Sequence, residues 1–131
     1  MKRMFLVVIF LSHFLCGTII LEDDDSKEYT VTVDSTNLRF YPESLTINEG
    51  DSVRFMWGGE FLPHNSVEEN GVFDSGDPER EVDYLYTFTY EQAGSYNFFC
   101  EPHESVGMEG SITVLDKMEH QDNEILNTSE E

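Results

Sequence analysis

A series of short segments in which apolar and polar residues alternate limits the fold more than any other feature of this chain. In residues 29–34 (YTVTVD) and 84–90 (YLYTFTY), every second side chain is aromatic or aliphatic. Successive side chains of a strand point to opposite faces, so this period indicates strands with one buried face. Glycine, proline or asparagine separates the segments at intervals of about 8 to 12 residues, which is typical of a sandwich or barrel. We therefore predict an all-β domain. Its strands are expected within residues 29–34, 38–41, 44–48, 52–57, 64–68, 84–90, 95–100 and 111–115. The polar connection at residues 72–83 (VFDSGDPEREVD) is expected to be a solvated surface linker, or a loop that touches a partner.

The N-terminal residues have the order of charge, apolar run and small residues that is typical of a secretory signal. Lys2 and Arg3 precede an apolar run at residues 4–11 (MFLVVIFL), and Cys16, Gly17 and Thr18 follow. We predict a signal peptide at residues 1–18 and an extracytoplasmic location, either periplasmic or secreted. The alternative is an uncleaved anchor that tethers the protein to the outer side of a membrane, because residues 4–21 have the minimum length for a bilayer span.

The rest of the 131-residue chain divides into three parts. We predict an acidic linker at residues 19–28, the β domain at residues 29–115, and an acidic polar tail at residues 116–131. A chain of this length accommodates one domain of ordinary size.

The charge balance excludes one class of partner and favours another. The formal net charge is −20, with only 7 lysines and arginines. Binding to nucleic acid requires clustered cations that neutralise phosphates, so we exclude it. If electrostatic attraction brings a partner to this protein, that partner is cationic. Adaptation to high salt would produce the same acidity.

Once the signal is removed, Cys100 is the one cysteine left in the chain. In an oxidising compartment such a thiol forms an intermolecular bridge, is a reactive group, or binds a metal. Its neighbours favour the metal, because His103 and Met108 follow within eight residues in the sequence CEPHESVGM. A thiolate, an imidazole and a thioether together suit copper, which the same ligands must hold in two oxidation states. Zinc usually takes four strong ligands, and a thioether is a poor fourth.

A trigonal copper site with a distant methionine needs a second histidine. His120 lies in the predicted tail, so His64 is the candidate. The predicted metal ligands are therefore His64, Cys100, His103 and Met108. Pro102 and Gly107 favour a tight turn that brings His103 and Met108 back towards Cys100.

These residues resemble a known family. Pro63, His64 and Asn65, followed by Cys-x₂-His-x₄-Met at residues 100–108, are similar to the cupredoxins, the blue (type 1) copper proteins, and in spacing to those of the plastocyanin and pseudoazurin type. Residues 72–75 (VFDS), 94–96 (GSY) and 110–114 (GSITV) are similar as well, so that the resemblance covers residues 29–115.

The resemblance implies a Greek-key β-sandwich of about eight strands with one copper ion near one end. It implies that Asn65 braces the ligand loops by hydrogen bonding, and that electrons pass through the edge of His103. Part of an apolar docking rim would be formed by Leu62, Pro63, Val106 and Gly107. Glu101 and Glu104 depart from the expected pattern, because they place carboxylates beside the ligands.

The predicted function is one-electron transport between redox partners, in which copper cycles between Cu(I) and Cu(II). A basic c-type cytochrome or oxidoreductase is the kind of partner expected. Copper storage or delivery is the alternative, since it would use the same ligands. A copper enzyme is not expected, because reductases and oxidases of this type need further copper sites supplied by additional histidines.

Overall fold

A computed structural model describes residues 25–117 of the chain. Residues 1–24 and 118–131 lie outside this range, and so do the predicted signal, most of the predicted tail and His120. Within the described range the chain forms eight strands and one 3₁₀ helix. In chain order these are β1 (Glu28–Asp34), β2 (Arg39–Tyr41), β3 (Ser44–Asn48), β4 (Ser52–Trp57), β5 (Val67–Glu68), β6 (Val82–Thr87), β7 (Gly94–Phe99), the helix (Glu101–Val106) and β8 (Glu109–Leu115).

The strands form two mixed sheets of four strands each, in the orders β2-β1-β4-β6 and β3-β8-β7-β5. Parallel pairs join β1 to β4 and β3 to β8, and the remaining neighbours are antiparallel. The chain therefore moves repeatedly from one sheet to the other, and the prediction of an all-β Greek-key sandwich is confirmed. Within residues 25–117 there is no helix long and apolar enough to cross a bilayer.

The alternating pattern of the sequence decides which side chains fill the core. In β4, Val53, Phe55 and Trp57 are buried, while the residues between them are exposed or half-buried. Aromatic rings from both sheets meet at the centre, where Phe55 and Phe98 lie edge to face with their centroids 5.3 Å apart. Such burial of apolar side chains is the main favourable term in folding.

Three segments differ from the sequence-based expectation. The strand expected within residues 84–90 lies at Val82–Thr87. Residues 64–68 form a strand only at Val67–Glu68, and His64 instead makes an isolated bridge with Glu79. The connection at residues 72–83 is more than a solvated linker, because it supplies this bridge and the buried side chain of Phe73. Alternation alone did not distinguish these packed loops from strands or from exposed connections.

Candidate metal centre

The predicted ligand turn begins where β7 ends. Cys100 follows Phe99, and its side chain is fully buried because it shares a face with the core residue Phe98. Pro102 stands in the first turn of the 3₁₀ helix, where its missing N–H costs no hydrogen bond. The His103 backbone N–H donates to the Cys100 carbonyl over 3.1 Å. The imidazole is thereby held next to the sulfur.

Gly107 ends the helix with a φ of 84°, a conformation that glycine adopts without steric cost. The chain then reverses, and the Cys100 N–H donates to the Met108 carbonyl over 3.0 Å. Met108 is fully buried in the core cluster. Two backbone hydrogen bonds thus close the turn on which three of the four predicted ligands lie.

His64 reaches the same place from another part of the chain. Its backbone N–H and carbonyl each pair with Glu79 over 3.0 Å, and its side chain is fully buried. Its ring stands edge to face against Trp57, with the centroids 6.5 Å apart. The backbone bridge to Glu79 and the packing against Trp57 therefore fix the position of His64, which lies 36 residues before Cys100.

The structure brings His64, Cys100 and His103 together. The Cys100 Sγ lies 3.7 Å from His64 Nδ1 and 3.4 Å from His103 Nδ1. One donor atom from each of the three residues lies within 4.8 Å of the others. Two imidazole nitrogens and one sulfur facing each other fit a copper ion, which favours nitrogen and soft sulfur ligands.

Burial tunes the protonation of the site. It raises the pKa of the Cys100 thiol, although backbone hydrogen bonds involving Asn65 and His103 oppose part of that rise. It lowers the pKa of His64, and the neighbouring His103 lowers it further, while Glu60 opposes the change. Without metal at neutral pH the sulfur is therefore a thiol and His64 is a neutral imidazole.

Asn65 connects three segments around the site. Its Oδ1 accepts from the Glu101 N–H over 2.9 Å, and its Nδ2 donates to the Gly76 carbonyl over 2.9 Å. Nδ2 also donates to Glu101 Oε2 over 2.6 Å. Glu101, one of the two carboxylates that depart from the expected pattern, thus accepts a hydrogen bond from Asn65.

Three residues that support the site through hydrogen bonds were not predicted from the sequence. Ser35 Oγ lies 2.9 Å from His64 Nε2, and Glu60 accepts a hydrogen bond from Ser35. Arg39 Nη1 donates to the Val106 carbonyl over 3.1 Å and so supports the ligand turn from β2. No local motif marks these residues, because each acts on a segment distant from it in sequence.

The surface near the ligand loops carries exposed apolar side chains. Val106, in the helix between His103 and Met108, is 53% exposed, and Phe61, three residues before His64, is 82% exposed. Pro63 is exposed as well, while Leu62 is half-buried. Phe61 was absent from the predicted rim, although its place beside Leu62 and Pro63 would have been a signal for it.

Comparison with known proteins agrees with this geometry. Residues 27–115 match the family described as "Copper binding proteins, plastocyanin/azurin family". A plastocyanin of Scenedesmus fuscus is 39% identical over 90 residues, which are 62% of this chain and 91% of that protein. The chloroplastic plastocyanin of Physcomitrium patens is 34% identical over 90 residues, and the match spans only 53% of its length.

Solved structures show the same likeness. The oxidised form of plastocyanin from Dryopteris crassirhizoma aligns with a TM-score of 0.56 and 28% identity, over 66% of this chain and all of that one. A pseudoazurin from Methylobacterium extorquens AM1 aligns with a TM-score of 0.51 and 25% identity, over 69% of this chain and 76% of the other.

Proposed function

The chain belongs to the plastocyanin/azurin family of copper-binding proteins, and on that premise we propose that it is a blue copper electron carrier. The proposed ligands of its one copper ion are His64, Cys100, His103 and Met108. The observation that carries the proposal is the convergence of two imidazole nitrogens on the Cys100 sulfur, at 3.7 and 3.4 Å. When bound, copper supplies the redox chemistry by accepting and releasing a single electron.

The protein contributes to that chemistry by keeping the proposed ligands rigid and shielded from water. His64, Cys100 and Met108 are fully buried, and backbone hydrogen bonds close the turn from Cys100 to Met108. Because ligands held in this way hardly move between the two oxidation states, the reorganisation energy of electron transfer stays small. His103 is only partly buried, which supports its edge as the point where electrons enter and leave.

The same burial argues for a carrier rather than for copper storage or delivery. A delivery protein must surrender its metal readily, and three buried ligands on a hydrogen-bonded frame slow that exchange. Addition of a strong chelator to the copper-loaded protein separates the two functions. A carrier keeps its copper over minutes, whereas release within seconds would favour delivery.

Addition of Cu(II) to the purified protein tests the proposed site directly. We expect an intense blue absorption from thiolate-to-copper charge transfer, and its loss in the Cys100→Ser variant. Met108→Leu should keep the colour and shift the reduction potential, because the axial ligand tunes blue copper sites. A colourless wild-type complex would contradict the proposed function, and a blue Cys100→Ser protein would contradict the ligand set.

We also propose that the redox partner is cationic, for example a basic c-type cytochrome. The net charge of −20 supports this, as do the exposed Phe61 and Val106 beside the ligand loops. Electron exchange with a basic cytochrome should slow as salt is added, because salt screens the attraction. Exchange with the anion ferricyanide is the matched control and should accelerate. Equal salt dependence of both rates would argue against a cationic partner.

The proposed location is extracytoplasmic, on the basis of the charge, apolar and small-residue order of residues 1–18. The proposed boundaries of the copper domain remain residues 29–115. The mass of the mature protein, measured after expression of the full chain with its leader, tests both cleavage and anchoring. Recovery of the uncleaved protein in the membrane fraction would indicate that residues 1–18 belong to an anchor and not to a cleaved signal.

A further inference from the structure

The two ring nitrogens of His64 face different groups. Nδ1 lies 3.7 Å from Cys100 Sγ, on the side of the proposed copper site. Nε2 lies 2.9 Å from the hydroxyl oxygen of Ser35. That hydroxyl is also 2.5 Å from Oε2 of Glu60. Imidazole, hydroxyl and carboxylate therefore form a continuous series of hydrogen bonds that leads away from the proposed metal centre.

The protons available on His64, Ser35 and Glu60 determine the direction of the hydrogen bonds between them. A carboxylate only accepts, so Ser35 must donate to Glu60. A hydroxyl has a single proton, so Ser35 cannot also donate to His64. The second contact is satisfied only if Nε2 carries the hydrogen and donates it to Ser35. In a neutral imidazole, Nδ1 then presents its lone pair towards Cys100.

Both supporting residues are held in place by contacts of their own. Ser35 follows β1 in a turn that Asp34 closes, since its Oδ1 accepts from the Thr36 N–H over 2.8 Å. The Glu60 N–H donates to the Arg80 carbonyl over 3.3 Å. Neither residue is in the ligand turn. Glu60 lies in the same connection between β4 and β5 as His64, whereas Ser35 lies in the turn after β1, so the hydrogen bonds join the His64 loop to one separate loop.

We propose that Ser35 and Glu60 are positioning residues, which select the tautomer of His64 that offers Nδ1 to copper and stabilise the more highly charged Cu(II) state. The tautomer part stands on the hydrogen-bond geometry alone, and the Cu(II) part rests on the proposed function. Histidine ligands of metals usually donate their other N–H to such a partner, which fixes the ring and raises its basicity. A carboxylate at the far end adds a negative charge that favours Cu(II) over Cu(I).

The tautomer is measured without copper, by ¹⁵N chemical shifts of the imidazole in the metal-free protein at pH 8. We expect the wild type to show His64 protonated at Nε2 and unprotonated at Nδ1. Ser35→Ala should lose this single pattern and give a mixture, and Ser35→Thr should restore it. Ser44→Ala is the matched control, because the Ser44 hydroxyl contacts Ser111 on an exposed surface. An Nδ1–H tautomer in the wild type, or an unchanged pattern in Ser35→Ala, would overturn the proposal.

The role of the charge is measured by the reduction potential of the copper-loaded protein. Glu60→Gln keeps an acceptor for Ser35 but removes the negative charge. We expect the affinity for Cu(II) to fall about tenfold relative to that for Cu(I), which raises the potential by about 59 mV. Glu60→Asp should recover most of the wild-type value, because it keeps the charge.

Glu69→Gln is the matched control, since the Glu69 carboxylate accepts from the exposed Asn97 and has no link to His64. An unchanged potential in Glu60→Gln, or an equal shift in Glu69→Gln, would overturn the electrostatic part of the proposal. If the wild type forms no blue site at all, the proposed function fails, and the tautomer measurement still decides whether Ser35 positions His64.

Discussion

As a proposed copper ligand, the Cys100 thiol has to lose its proton before it binds the metal, and its surroundings make that loss costly in the metal-free protein. Burial removes water from the sulfur and raises its pKa. The free protein therefore holds the proton at neutral pH, whereas the copper-bound sulfur does not. Copper affinity must then rise with pH as long as the pH stays below the pKa of the thiol.

We expect copper uptake at pH 7 to release about one more proton from the wild type than from the Cys100→Ser variant. The release is measured by titrating copper into a weakly buffered solution at constant pH. The Cys100→Ser variant is the control for protons that come from other groups or from the copper salt. Equal release from both proteins would show that the thiol is already ionised before copper binds.

Asn65 shows how one side chain supports a site without touching the proposed metal. Its amide group makes hydrogen bonds to Glu101 and to the carbonyl of Gly76. The Asn65→Ala variant leaves those groups without their partner, which we expect to lower the free energy of unfolding by about 1–3 kcal/mol.

Chemical denaturation of the metal-free protein measures this loss. Asn97→Ala is the control, because Asn97 is exposed on β7 and donates one long hydrogen bond to Glu69. Its effect should stay within about 0.5 kcal/mol. Equal losses for the two variants would mean that the hydrogen bonds of the buried Asn65 add no more stability than that of an exposed amide.

At the scale of secondary-structure elements, the start of β8 packs tightly against β7 and against the connection between β2 and β3. Gly110 pairs with Phe98 across the two strands. A Cβ atom at Gly110 would overlap the Phe98 ring and would lie 2.9 Å from the carbonyl oxygen of Glu43. Phe98 is buried against Phe40 and Phe55, so its ring has little room to move.

Gly110→Ala should therefore destabilise the protein by about 1–3 kcal/mol through overpacking. Thermal or denaturant unfolding of the metal-free protein measures the change. Gly58→Ala is the matched control, because a Cβ there would meet only Glu81 Cγ at an ordinary 3.9 Å. A Gly110→Ala protein as stable as Gly58→Ala would show that β7 and β8 separate easily.

At the scale of the whole molecule, the dominant property is the surplus of negative charge. The formal net charge of −20 causes self-repulsion in the compact state. Few cations offset it, although the guanidinium of Arg54 makes a two-pronged pair with Asp83, with N–O distances of 2.7 and 2.8 Å. An exposed pair of this kind contributes little to stability.

Added salt should therefore stabilise the metal-free protein. We expect the midpoint of thermal unfolding to rise between about 10 mM and about 500 mM NaCl, because salt screens repulsion between exposed carboxylates. Scanning calorimetry over this range measures the effect. A midpoint that falls with salt would mean that attractive ion pairs outweigh the repulsion.

The sequence by itself was sufficient to predict most of the strands and the turn at residues 100–108, because both are local. Alternation over five to seven residues identified β1, β3, β4 and β8, and the spacing from Cys100 to Met108 placed those residues on one turn. His64 was predicted from the chemistry that the site requires, and the fold brought it to Cys100.

Other features were decided by the tertiary structure alone. Ser35 lies in the turn after β1, whereas Glu60 and His64 lie in the connection between β4 and β5, and the hydrogen bonds between the two loops span 25 and 29 residues of sequence. The burial of Phe73 and the bridge made by Glu79, both in the connection at residues 72–83, were not expected from the sequence for the same reason. Contacts of this kind depend on how the two sheets close around the core, and neither the period nor the composition of a short segment carries that information.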